Sequence, residues 1–256
     1  MNLGLTNKKV LITGSSKGIG LAIARAFLRE GAKVCITGRS IKQLDKSRDL
    51  LNNEFASENV LSKKCDFTLT NEIISLKNQI KENWGGIDII VANIGDGRST
   101  LDTIPSSEFW DKSWDINFNT ALNTARVFLP LLEKSRGNLL FISSIAGLEY
   151  IGAPVDYSTA KAALVVLSKN ISNKLGAKVR ANVLAPGNIL FDGGVWDKKL
   201  KNDSKVILDK IKQLVPMGRF GTVDEVADTA VFICSEKSSF TTGSVIVVDG
   251  GQTNNF

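Results

Sequence analysis

Histidine is absent from all 256 residues. That gap excludes a Ser/His triad and any His-ligated metal site, and with them the zinc-dependent route to alcohol oxidation. Cysteine is scarce. Cys35, Cys65 and Cys234 have neither zinc-ligand nor disulfide spacing. Cys35 and Cys65 fall in or beside apolar strand-like runs and Cys234 in a helix-like one, so buried reduced thiols are expected and no metal is. There are 5 prolines and no Pro-rich linker, and no run reaches the ~18 apolar residues a membrane span needs. Met1 to Asn7 lacks the apolar core of a signal peptide. A cytoplasmic protein with no membrane partner is expected. The net charge of +6 comes from 32 basic and 26 acidic residues interleaved along the chain. That pattern reads as solvated surface, and no nucleic-acid partner is expected.

What is present is regular. Runs rich in Val and Ile recur near 9–13, 33–37, 59–64, 87–92, 138–143, 179–184 and 244–248, and amphipathic stretches of helical period separate most of them. This alternation predicts one α/β domain over 1–256: a Rossmann-like, doubly wound parallel sheet of about seven strands with helices on both faces.

Two local patterns carry chemistry. The first follows Val10-Leu11-Ile12: Thr13-Gly14-Ser15-Ser16-Lys17-Gly18-Ile19-Gly20 leads straight into a helical run. Strand, tight glycine turn and helix start form a phosphate cradle, because glycine admits close backbone approach and a helix N-terminus offers free N–H groups to an anion. The second is Tyr157 and Lys161 in Tyr-Ser-Thr-Ala-Lys. At this spacing two helical residues share a face, so a cation beside the phenol would favour phenolate and tune it for proton transfer. Alone, the pair is also what a solvated helix surface shows.

Together these residues resemble the short-chain dehydrogenase/reductase family over nearly the whole chain, the branch with 3-oxoacyl-[acyl-carrier-protein] reductases above all. The resemblance makes Asn117, Ser144, Tyr157 and Lys161 the catalytic set, with Ser144 thirteen residues before the tyrosine. It places Gly14, Ser16, Lys17, Gly18, Ile19, Gly20, Asp66, Asn93, Gly95, Pro186, Gly187 and Ile189 against a dinucleotide, together with Tyr157 and Lys161. Tyr157 would give its proton to a carbonyl oxygen held by Ser144. Lys161 would lower the tyrosine pKa, and Asn117 would help hold a water that feeds the lysine. Two positions depart from the family pattern. Ala92-Asn93-Ile94-Gly95 lacks the usual first asparagine, and Asn188-Ile189-Leu190-Phe191 lacks the threonine that follows Pro-Gly in many members, which brings an aromatic ring toward the substrate instead.

The cofactor reading rests on the end of the second strand. An acid there binds the ribose 2′-hydroxyl of NAD, whereas an arginine accommodates the 2′-phosphate of NADP. This chain has Gly38-Arg39-Ser40, and Lys17 adds a second cation. NADPH/NADP+ is therefore expected over NADH.

The substrate is less legible. The family builds a lid here, expected over 188–215, and Ile207, Ile211 and Leu214 recur at helical spacing among Lys205, Lys210 and Lys212. A solvated surface helix and a basic lid over an anionic substrate both fit. Asp96, Arg98, Tyr150, Phe191 and Trp196 are candidate substrate contacts by position. A small-molecule or carrier-linked ketone is expected, a 3-oxoacyl thioester first and a sugar or polyol second, with a silent NADPH sensor as the remote alternative. Relatives assemble as tetramers through helices near 107–133 and 157–175 and the C-terminal strand, so a homotetramer is expected, with Phe240 to Phe256 reaching a subunit boundary.

Overall fold

A computed structural model describes residues 1–176 and 178–254; Asn255 and Phe256, the tip of the expected boundary segment, lie outside the described residues. Along the chain run β1 (Lys9–Ile12), α1 (Gly18–Arg29), β2 (Lys33–Gly38), α2 (Ile41–Glu54), β3 (Val60–Lys64), α3 (Thr70–Trp84) and β4 (Ile89–Ala92). Then come α4 (Ser107–Trp114), α5 (Thr120–Ser135), β5 (Asn138–Ile142), α6 (Val155–Leu175) and β6 (Arg180–Pro186). The chain closes with β7 (Ile189–Leu190), α7 (Val195–Asn202), α8 (Ser204–Leu214), β8 (Gly221–Thr222), α9 (Val223–Cys234) and β9 (Val245–Val248).

Seven strands form one parallel sheet in the order β3-β2-β1-β4-β5-β6-β9. The order reverses between β1 and β4. The connections from β1 and β4 therefore diverge to opposite sides, leaving a crevice beyond the carboxyl ends of those strands, where ligands of open α/β sheets bind.

Alternation along each strand explains why helices cover both faces. Val10, Ile12, Val34 and Ile36 point into one core with Ile23 and Phe27 of α1 and Val226 and Ala230 of α9. Leu11, Cys35 and Ile90 point into the other, against Ile73 and Leu76 of α3, Phe128 of α5 and Leu164 of α6. Strands buried on both faces read as unbroken apolar runs, which is how they were visible in sequence. Their ends shift by a residue or two from the expected ranges.

Two features were not legible. The helix expected through 107–133 is interrupted by a π-helical stretch at Asp115–Asn119, between α4 and α5. The 188–215 region closes on a small core of its own: Ile211, Val215 and Phe220 are buried with Trp196, Leu200 and Ile207 packed on them. The short pair β7–β8 ties its two ends together. Among the described residues no helix is long and apolar enough to cross a membrane, and no cluster of metal-ligating side chains occurs. The three cysteines are free and buried, and burial pushes the Cys65 and Cys234 thiols up to about 12.

Candidate active site

The crevice is a cleft of about 650 Å³ running from the glycine turn to α7. At one end β1 breaks at Gly14, whose φ of 62° is left-handed, and the chain turns again at Gly18 with φ 57° before entering α1. Both are conformations glycine adopts at no steric cost. The N-cap of α1, Lys17, makes no side-chain cap bond, so the first N–H groups of the helix open on the cleft without a side-chain acceptor. A Cβ on Gly20 would stand 2.6 Å from Asn93 Nδ2 and 2.7 Å from the Gly14 carbonyl. This bare, positive helix end suits a pyrophosphate, and the residues present fit a dinucleotide.

The turn is held from three sides. Asn93 Nδ2 donates to the Thr13 and Gly14 carbonyls at 3.0 and 3.1 Å, and the Asn93 N–H donates to Thr13 Oγ1 at 2.9 Å. Asn93 lines the cleft, but its amide shapes the turn. Thr37 Oγ1 donates to the Ile12 carbonyl and accepts from Gly14 N, while Ser15 Oγ accepts from Thr37 N. From α2, Gln43 Nε2 and Ser47 Oγ both donate to the Ser16 carbonyl, at 3.2 and 2.7 Å. Sequence reading placed Thr13 and Ser15 in the glycine turn without giving them a role, and it missed Thr37, Gln43 and Ser47. Their signal is weak, because small polar residues at strand ends and on helices are common.

Arg39, just past β2, and Lys17 are exposed and line the same end of the cleft. Asp66 faces it from beyond β3. Burial pushes the Asp66 carboxyl up, but hydrogen bonds from the Thr68 N–H and hydroxyl, with the charges of Arg39 and Lys64, outweigh this and hold it below its ordinary value.

At the other end stand the proposed catalytic side chains. Lys161 on α6 is 2% exposed, and its Nζ donates to the Ile142 carbonyl at 2.9 Å and the Ile94 carbonyl at 3.5 Å. No carboxylate among the described residues pairs with it, and burial lowers its pKa to about 8. Its Nζ lies 6.0 Å from the centre of the Tyr157 ring. The expected lowering of the tyrosine pKa is not present in the chain alone. Burial raises the phenol, a hydrogen bond from Ser144 opposes that, and the charge of Asp96 adds to the rise. The reason is desolvation, which disfavours the phenolate and outweighs the Ser144 hydrogen bond.

Ser144, half-buried at the end of β5, faces Tyr157, and its Oγ accepts from the Ala146 N–H at 3.1 Å. Its neighbour Ser143 points the other way and donates to the Lys161 carbonyl at 2.8 Å, fastening α6 to the sheet. Asn117 is 1% exposed beneath the cleft, and the π turn brings it there. Its Nδ2 donates to the Asp96 and Ser113 carbonyls at 3.0 Å each, and its Oδ1 accepts from the Asp96 N–H at 2.8 Å.

The expected substrate residues do not stay together. Asp96 and Arg98 line the cleft paired to each other, Arg98 N–H groups donating to the carboxylate, and Trp196 of α7 lines it from above. Phe191 needs correcting: a Cβ on Gly18 would stand 2.7 Å from its ring, so it covers the glycine turn instead of the catalytic end. Tyr150 is 94% exposed and does not line the cleft; it sits in the loop before α6 with its ring in solvent. Pro186, Gly187 and Ile189 also line the cleft. Gly187 has a packing reason, since a Cβ there would meet Asp249 at 2.7 Å.

Residues 14–253 match the family described as Enoyl-(Acyl carrier protein) reductase. The 3-oxoacyl-[acyl-carrier-protein] reductase FabG of Chlamydia muridarum is 34% identical over 98% of this chain and 100% of that protein. A probable NADP-dependent mannitol dehydrogenase of Yarrowia lipolytica is 32% identical over 96% of this chain and 88% of its own length. Among solved structures, L-sorbose reductase from Gluconobacter frateurii, crystallised with NADPH and L-sorbose, superposes with a TM-score of 0.94 at 30% identity over the whole of both chains. With this sheet order, glycine turn and Ser-Tyr-Lys arrangement, the chain belongs to the short-chain dehydrogenase/reductase family of oxidoreductases.

Proposed function

We propose that the protein is a cytoplasmic, NADPH-dependent reductase that converts a ketone to a secondary alcohol, with a 3-oxoacyl thioester as the leading substrate class. The observation that carries this reading is one cleft with an uncapped helix N-terminus and two cations at one end and Ser144, Tyr157 and Lys161 at the other. When bound, the reduced dinucleotide supplies a hydride to the carbonyl carbon. The raised pKa of Tyr157 suits a donor, because the phenol holds its proton at neutral pH until the carbonyl oxygen gains charge. Ser144 hydrogen-bonds that oxygen and steadies the phenol. Lys161, mostly protonated at pH 7 with a pKa of about 8, returns a proton to the phenolate, and Asn117 shapes the buried wall behind it.

A sugar or polyol carbonyl is the second reading, favoured by the full-length likeness to L-sorbose reductase. A silent nucleotide sensor is disfavoured by the intact catalytic set. Exposed valines on two elements support a homotetramer: Val245 and Val247 of the edge strand β9, 37% and 39% exposed, and Val166 of α6, 63% exposed. The test follows loss of reduced-nicotinamide absorbance with acetoacetyl thioesters, keto-sugars and simple diketones, with Tyr157→Phe as control. Turnover of one class that the variant loses supports the reading; tight NADPH binding with no turnover of any favours the sensor. Light scattering at micromolar concentration should give the mass of four chains.

A further inference from the structure

We propose that Lys198 and Lys199 bind a phosphate group carried by the substrate; this rests on the ketone-reductase reading above. Both lysines line the cleft from α7. The acids near them are engaged elsewhere: Asp197 accepts from Lys201 Nζ at 2.7 Å and the Gly193 N–H at 2.9 Å, and Asp192 also faces Lys201. Across the cleft Asp96 is taken by Arg98. Among the described residues neither Lys198 nor Lys199 stands in an ion pair, although the charge of Asp197 acts on Lys198, so the lid presents two cations to the cleft.

One of them is held in place. Lys199 Nζ sits 4.6 Å from the centre of the Trp196 ring, and that ring packs on Phe220, 8% exposed, with centroids 5.4 Å apart. A cation over an indole is attracted by the ring face and loses part of its freedom before any ligand arrives. The lid's private core beneath Trp196 makes the platform firm. A lysine ammonium is an established point-charge partner for phosphate, and α7 sets two of them along the cleft wall. A neutral ketone would leave both lysines with nothing to bind.

The phosphate has two sources, the arm of a thioester or a sugar ester, and matched pairs distinguish them. Acetoacetyl-phosphopantetheine is compared with acetoacetyl-pantetheine, and L-sorbose monophosphate with L-sorbose, at low ionic strength. In one pair the phosphorylated member should have kcat/KM about tenfold higher, and in Lys198→Ala/Lys199→Ala the two should come within about twofold. The NADPH dissociation constant, measured by calorimetry, should stay where it was. Equal kcat/KM within both wild-type pairs overturns the proposal. So does a double variant that keeps the preference, or that weakens NADPH binding instead, since the lysines would then serve the dinucleotide. If the wild type reduces none of the four, the reductase reading fails separately. Calorimetry of each phosphorylated probe against NADP+-loaded protein then decides: binding lost in the double variant upholds the phosphate site, and no wild-type binding removes it.

Discussion

A Cβ on Gly95 would stand 2.8 Å from the ammonium of Lys161 and 3.3 Å from Asn117 Oδ1. The glycine after β4 therefore leaves open the space in which the buried lysine reaches the Ile142 carbonyl. Its φ is not left-handed, so the requirement is space and not backbone freedom. Gly95→Ala should fold, because the atom that must give way is the far end of a flexible side chain, at a cost of about 1–3 kcal/mol. It should lose kcat about a hundredfold as Lys161 is displaced. Thermal melting and steady-state kinetics check this; kcat within twofold of wild type would show that the lysine tolerates displacement.

The glycine turn, the parallel sheet and the Tyr-Lys pair were legible because each depends on residue type at fixed spacing, whereas Ser144 came from the family resemblance and the strand order only from the structure. Val and Ile runs on both sides of Gly14 and Gly18 announce a buried parallel sheet with a phosphate turn. The π turn at Asp115–Asn119 was not legible, since one extra residue per turn leaves the helical periodicity of 107–133 nearly intact. Phe191 and Tyr150 were misplaced for a related reason. Both lie in loops, where position along the chain fixes approximate location but not the direction of a ring. The tyrosine's raised pKa was missed because spacing reports the nearby cation and says nothing of how much water both groups lose.

The adjacent serines should separate cleanly. Ser144 faces Tyr157, while Ser143 donates to the Lys161 carbonyl at 2.8 Å and is 5% exposed. Ser144→Ala should lower kcat about a hundredfold with little change in melting temperature, since a donor aimed at the reacting oxygen is lost. Ser143→Ala should cost about 1 kcal/mol of stability and far less activity. Paired denaturation and kinetic measurements would show the two effects exchanged if the assignment were reversed.

Cofactor choice should turn on Arg39. Its guanidinium is exposed at the cleft end past β2, and no acid occupies the position that would bind a ribose hydroxyl. Arg39→Asp replaces a phosphate partner with a group that repels phosphate. The ratio of kcat/KM with NADPH to that with NADH should fall by about a hundredfold or more. An unchanged ratio would move the discrimination to Lys17 or elsewhere.

The alkaline limb of activity should belong to Lys161. Burial lowers its pKa from 10.5 to about 8, whereas burial raises that of Tyr157, so the lysine loses its proton first as pH rises. If the protonated ammonium resupplies the phenolate, kcat/KM for ketone reduction should fall through a single ionisation near pH 8 in the free enzyme. The sign for stability is opposite. Between about 8 and 10.5 the unfolded chain holds a lysine proton that the folded chain has released, so this group's contribution to stability increases with pH across that window. Below the window both states are protonated and the full burial penalty applies. Lys161→Arg keeps its charge over the whole range and should move the limb upward while lowering the plateau. A wild-type profile flat to about pH 10, the ordinary phenol range, would mean that no lysine proton is required.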